Sequence, residues 1–202
     1  MSFLNKIIHM KRIYTFILLV LLGTGVAQAQ VGFGIKGGLN LATFSSLPNG
    51  VSNDGARIGL HLGALFQFQI SQSFFFQPEL MVSQKGGRGA INFLNSSYTT
   101  KITTLDIPLL FGAKLNPVRL YVGPAFGFVV SARTESGGNT TDNMDDVNDI
   151  LASLQVGIGF DPTSKLGIDL RYEAGLTKLS SRVADDNTKT NVVQLTVSYK
   201  LK

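Results

Sequence analysis

This chain of 202 residues has no cysteine and no tryptophan, and only 15% of it is charged. Without cysteine there is no disulfide, no thiolate metal site and no lipid-modified cysteine anchor. An apolar stretch long enough for a membrane helix is missing too: the longest, Ile13 to Val26, falls short of the ~20 residues a span needs. It reads instead as the core of an export signal. Lys6, Lys11 and Arg12 precede it and Ala27-Gln28-Ala29 closes it with the small-x-small pattern of a cleavage site, so residues 1–29 are expected to be a signal peptide and 30–202 the mature domain. Met10 serves equally well as a start, since residues 10–29 already form a complete signal. The formal charge of +5 falls to +2 when the three leader cations are removed, so the basic balance gives no reason to expect nucleic acid as a partner.

Helical periodicity is also absent from residues 30–202, where a period of two runs throughout. Ile58, Leu60, Leu62, Ala64, Phe66, Phe68 and Ile70 share one parity, and Arg57, Gly59, His61, Gly63, Leu65, Gln67 and Gln69 the other. Side chains alternate across a strand, so one face is apolar and the other small or polar. Residues 165–176 repeat the design. Eight such runs are marked, near 31–43, 57–70, 74–84, 102–115, 118–132, 150–160, 165–177 and 191–201. Short turns at 71–73, 116–117 and 161–164 alternate with long polar loops near 44–56, 85–101, 133–149 and 178–190. That is the pattern of an eight-stranded antiparallel up-and-down transmembrane β-barrel with short periplasmic turns, which places the chain in the outer membrane.

Alternation alone does not say which face is wet, and a soluble ligand-carrying barrel is the competing reading. That alternative would bare Gly32, Gly34, Gly38, Gly59, Gly63, Gly123, Gly127, Gly157 and Gly159 on a solvent surface. Turned inward, the same glycines make room for long neighbours in a narrow lumen. Phe33, Phe68, Phe74, Phe160 and Tyr199 fall on the apolar face near the expected periplasmic ends, with Tyr172 toward the loop end, as interfacial girdles would. Lipid is therefore expected outside.

Five segments carry a resemblance to a known family: Gly32 to Leu41 (GFGIKGGLNL), Gln77 to Gly86 (QPELMVSQKG), Leu105 to Phe111 (LDIPLLF), Tyr121 to Phe128 (YVGPAFGF) and Leu166 to Leu176 (LGIDLRYEAGL). In this order they resemble the PorT-like outer-membrane β-barrel domain of Gram-negative bacteria. The resemblance implies the barrel fold and the outer membrane, and no single activity. Such chains usually end on an aromatic residue, whereas this one ends Tyr199-Lys200-Leu201-Lys202. Recognition by the barrel-assembly machinery is then expected to use Leu201 or Tyr199.

The inward face collects Lys36, Arg57, His61, Glu79, Asp106, Lys114, Arg119, Asp169, Arg171 and Glu173. Eight strands leave an interior that side chains can fill, and buried charges must pair to survive desolvation. The expectation is a charge-paired plug rather than a pore or a catalytic site. His61, with Ser83 expected opposite it, supplies two parts of a hydrolase site and no third. Gly32-Phe33-Gly34-Ile35-Lys36-Gly37 matches a dinucleotide fingerprint but lies inside a strand with no helix behind it, so it carries no nucleotide. The acids Glu135, Asp142, Asp145, Asp146 and Asp149 crowd one loop without the glycine and final glutamate of a calcium loop. No cofactor and no metal is expected. Pro78, Pro108 and Pro124 sit inside consecutive strands, each removing a ladder donor. With residues 116–117 as the turn, Leu109 faces Pro124, and a bulge or weakened ladder is expected there.

The function read from these features is non-enzymatic: a small envelope barrel, structural or binding, meeting an envelope protein or an external ligand through its loops. A narrow channel for small solutes and an accessory barrel of a secretion system are the alternatives.

Overall fold

In the computed structural model, residues 31–47, 50–91, 96–142, 144–179 and 187–201 are described. The expected signal peptide lies outside them. Ten strands follow one another: β1 (Val31–Ser45), β2 (Val51–Asn53), β3 (Arg57–Gln69), β4 (Phe74–Ile91), β5 (Ser96–Leu115), β6 (Val118–Ser136), β7 (Asn139–Asp142), β8 (Ile150–Phe160), β9 (Leu166–Gly175) and β10 (Lys189–Lys200). Eight of them close a ring in the order β1, β3, β4, β5, β6, β8, β9, β10 and back to β1, with every pairing antiparallel. Closure leaves this ring no free edge, which satisfies the backbone groups that hydrocarbon cannot.

The apolar face is on the outside. Along β3, Ile58, Leu60, Leu62 and Phe66 are exposed, as is Ile70 just beyond it, while His61, Leu65 and Gln67 are buried. That row covers about 40 Å of strand, or about 28 Å along the membrane normal at a tilt of ~45°, enough for a hydrocarbon core. Aromatic rings gather outside near the periplasmic ends: Phe33 meets Phe66 with ring centroids 5.1 Å apart, and Phe76 stacks on Phe111 at 4.7 Å and on Phe68 at 6.2 Å. A wall that is greasy outside and polar inside has lipid as its solvent, so the barrel spans the outer membrane and the soluble alternative falls.

Two features depart from the expected outline. The stretch near 85–101, expected as a loop, is mostly strand: β4 runs to Ile91 and β5 starts at Ser96, paired in one register throughout. Likewise β6 continues to Ser136 and turns through Gly137 and Gly138, both at positive φ, into β7. Beyond the hydrocarbon the outward face is no longer apolar, so the alternation fades from the sequence although the hydrogen-bonded ladder persists. With β2 added on β4, these strands build a one-sided external fin, in the order β2, β4, β5, β6, β7. Strands β4, β5 and β6 have 18, 20 and 19 residues, against 11, 10 and 12 for β8, β9 and β10.

The weakened ladder expected at the prolines is present. Pairing lapses between β3 and β4 at residues 66–67 and 77–78, between β4 and β5 at 79–80 and 107–108, and between β5 and β6 at 109–110 and 123–124. Each gap falls at or beside one of Pro78, Pro108 and Pro124, always on the ladder toward the preceding strand. Leu109 lies opposite Pro124 in the β5–β6 register. A separate bulge sits further out, where Thr103 pairs Ser131 and Thr104 pairs Val129, leaving Val130 extra.

Candidate functional site

Strand β9 is the spine of the lumen. Its inward residues Asp169, Arg171 and Glu173 alternate in sign, and each reaches a different wall. Arg171 holds Glu79 of β4 by two parallel bonds, Nη1 to Oε2 at 2.9 Å and Nη2 to Oε1 at 3.0 Å. The same Glu79 accepts from Lys36 Nζ of β1 at 2.8 Å and from Gln77 Nε2 at 2.7 Å. Toward the outside, Glu173 accepts from Lys85 Nζ at 2.6 Å, and Lys85 also pairs with Asp106 of β5 at 2.8 Å. Toward the periplasm, Arg119 of β6 donates to Asp169 at 3.1 Å and meets Asp161 of the β8–β9 turn at 3.0 Å, where Lys200 of β10 also arrives.

Between these layers, Tyr121 donates its hydroxyl to Asp169 at 3.1 Å and lies beneath Arg171, whose guanidinium carbon is 5.0 Å from the ring centroid. Such a bidentate, ring-stacked guanidinium is a role lysine cannot fill. The network holds five cations (Lys36, Lys85, Arg119, Arg171 and Lys200) and five anions (Glu79, Asp106, Asp161, Asp169 and Glu173). It sums to zero. Small residues leave it space: a Cβ placed on Gly159 would lie 2.5 Å from Asp169 Oδ1 and 2.9 Å from Arg119, and one on Gly127 would lie 2.6 Å from Asp106.

Apolar groups pack among the ions and cap them at the external end. Phe75, Leu110 and Tyr121 form a buried cluster in the periplasmic half. At the external end, Phe44, Ile102 and Ala132 of the wall meet Val147 and Leu179, which dip in from the loops after β7 and β9. The two loops are tied to each other by Asn148 N–H donating to the Leu179 carbonyl at 2.9 Å. Beneath this cap lies a cavity of about 20 Å³ lined by Lys85, Ser153, Glu173 and Thr190, with Leu151 and Leu179 above. That is room for about one water.

Of the ten residues read as lumenal, Lys36, Glu79, Asp106, Arg119, Asp169, Arg171 and Glu173 meet in the network, and His61 is buried beside it. Arg57 and Lys114 do not join. Arg57 donates to the Lys85 carbonyl at 2.8 Å near the external mouth, and Lys114 reaches Gln69 Oε1 at 3.4 Å near the periplasmic one. Both are only half-buried, close enough to water that no ion pair is required.

Lys85, Asp161 and Lys200 were missed by the sequence reading. Lys85 shares the parity of Glu79 and Ser83, so carrying the alternation one step past residue 84 finds it. His61 and Ser83 face each other across the β3–β4 ladder as the spacing suggests, yet they do not act on one another. The His61 nitrogens are taken by Asn40 Oδ1 at 2.7 Å and Thr196 Oγ1 at 2.9 Å, while Ser83 Oγ accepts from Asn40 at 2.9 Å. A nucleophile needs its base in direct contact, and here an amide stands between them. Among the acids of the third loop, Glu135 is engaged by Lys101 at 2.5 Å and Asp142 caps the Met144 N–H at 3.1 Å.

Comparison with known proteins gives the same architecture. The model of the outer membrane protein beta-barrel domain family matches residues 26–181. Among solved structures, Neisserial surface protein A aligns with a TM-score of 0.53 at 14% identity, covering 84% of this chain and 97% of that one. The attachment invasion locus protein Ail of Yersinia pestis, in complex with the heparin analogue sucrose octasulfate, aligns with a TM-score of 0.48 at 16% identity over 85% and 99%. OprG of Pseudomonas aeruginosa gives 0.45 at 14% identity over 86% and 97%. No curated protein matches the chain.

Proposed function

The chain belongs to the outer membrane protein beta-barrel domain family, and we propose that within it this barrel is closed and non-conducting and works through its external fin and loops. It is not an enzyme. The observation that carries the reading is the balanced set of ten charges tying β1, β4, β5, β6, β9 and β10 together across the lumen, with one apolar cluster packed among them and another capping the external end. Buried ions that pair in this way stay put, because separating them leaves an uncompensated charge in a place that water reaches poorly. A conduction path needs the opposite: a wet route lined by groups that release a solute. The fin, by contrast, stands in water with its polar face open, which suits contact with an envelope protein or an external ligand.

The finer placement beside the PorT-like barrels, insertion by the barrel-assembly machinery and export by the cleaved 1–29 signal belong to the same proposal. They rest on the five segments and the leader pattern. Planar-bilayer recording is the test. The purified barrel is expected to stay silent, and the triple replacement Glu79→Ala, Lys85→Ala, Arg171→Ala to produce openings. Steady unitary conductance from the unaltered protein would refute closure and restore the narrow-channel reading.

A further inference from the structure

The outward face of the fin carries a group of cations that nothing above uses. In the β4–β5 register Lys101 lies opposite Gly86 and Arg88 opposite Thr99, and in the β5–β6 register Arg133 lies opposite Lys101. Cross-strand partners share a face. These positions continue the row of Val82 and Leu105, the outward apolar residues of the band, so Arg88, Lys101 and Arg133 point away from the barrel axis. Arg88 and Arg133 are exposed and form no ion pair among the described residues; Lys101, half-exposed, is paired with Glu135. Asp142 stands opposite Arg133 on β7. The strand spacings put the Cα atoms of Arg88 and Arg133 about 12 Å apart, with Lys101 between them.

Height decides what such a group meets. Lys101 is four residues beyond Leu105, which places it roughly 10 Å above the hydrocarbon edge on a tilted strand. Long cationic side chains reach back toward the membrane from there, and the layer they enter is that of the lipid headgroups. We propose that Arg88, Lys101 and Arg133 form a docking surface for the phosphates of an anionic headgroup in the outer leaflet, with the two arginines as its main ligands. Guanidinium grips phosphate by two parallel bonds, and a spacing of ~12 Å suits a headgroup bearing two phosphates, one for each arginine. The membrane wall then anchors the fin on the side where it projects. Glu135, paired with Lys101, and Asp142, opposite Arg133, lower the formal charge of the patch, so the two arginines carry most of its attraction for phosphate.

This inference rests on reading the fin as a contact surface, but its test is independent of conduction. The full barrel in neutral detergent would be titrated with a fluorescent bisphosphorylated glycolipid and with its dephosphorylated form. The phosphorylated lipid is expected to bind, the dephosphorylated form to bind at least tenfold more weakly, and Arg88→Ala with Arg133→Ala to weaken the former about 30-fold. Arg88→Lys with Arg133→Lys should recover part of the loss, and Lys165→Ala on a periplasmic turn should change nothing. Heat-dependent gel mobility checks that each variant is folded. Equal retention of both lipids, or a folded double variant that binds as the original does, overturns the proposal. Displacement of the lipid by millimolar inorganic phosphate also overturns it, since the site would then be one for a free anion. A silent barrel that binds no lipid would sink this inference and leave the closed-barrel reading standing.

Discussion

Arg171 and Arg88 are the same residue on strands of one barrel, and their surroundings could hardly differ more. Arg171, buried in the lumen, donates to Glu79, Gln155 and Tyr121. Arg88, on the outer face of the fin, forms no ion pair among the described residues. In the lumen every cation of the network is matched by an anion at hydrogen-bonding distance, because an unmatched ion there has no water to fall back on. On the fin a guanidinium stays hydrated without a partner, and surface pairs such as Lys101 with Glu135 contribute little. Charge inside this barrel therefore serves cohesion, and charge outside it is available for contact.

The sharpest way to break that contrast is to make the same substitution at both places. Arg171→Ala should lower barrel stability by about 3–5 kcal/mol, since Glu79 keeps only Lys36 and Gln77; urea unfolding in detergent reads it. Replacing Lys36, Glu79 and Arg171 together by methionine should recover most of the loss, since no member of the triad is then left as an unmatched ion. If the single and triple variants are equally unstable, the triad is not what holds the walls. Next in size, Leu179→Ala should cost about 2 kcal/mol by emptying the apolar cap. It should appear chiefly as faster protease cleavage of the loops after β7 and β9, with the wall intact.

Smaller still, Gly159→Ala places a methyl group against Arg119 and Asp169 and should cost about 1–2 kcal/mol. Its expected signature is a lower unfolding midpoint with unchanged strand content by circular dichroism. Pro124→Ala restores a ladder donor toward β5, and amide exchange of the facing residues should slow measurably while the midpoint barely moves. Last, Arg88→Ala should leave the midpoint where it was. A large shift there would mean that the fin is braced by charge as the lumen is.

Much of this is legible in the sequence, and particular residues show where legibility stops. Alternation put Glu79, Asp169, Arg171 and Glu173 inside because the apolar partners beside them had to face lipid. It stopped short of Lys85 because hydrophobic contrast disappears where the strand leaves the membrane, although the ladder does not. Arg57 and Lys114 carried the right parity and the wrong depth: parity gives a side of the sheet, not a height above the mouth. The spacing across the 71–73 turn set His61 opposite Ser83, and nothing in it announced that Asn40, from another strand, would come between them.

The order of residues along the chain was thus enough to determine a closed antiparallel barrel, its turns and the side of each strand that meets lipid, since all three follow from a period of two and from the need to satisfy backbone groups in hydrocarbon. Which charge meets which was decided only by the tertiary structure. Glu79 is 92 positions from Arg171 and Lys85 is 88 from Glu173, and such partners become neighbours only when the ring closes and the tilt of its strands sets their heights.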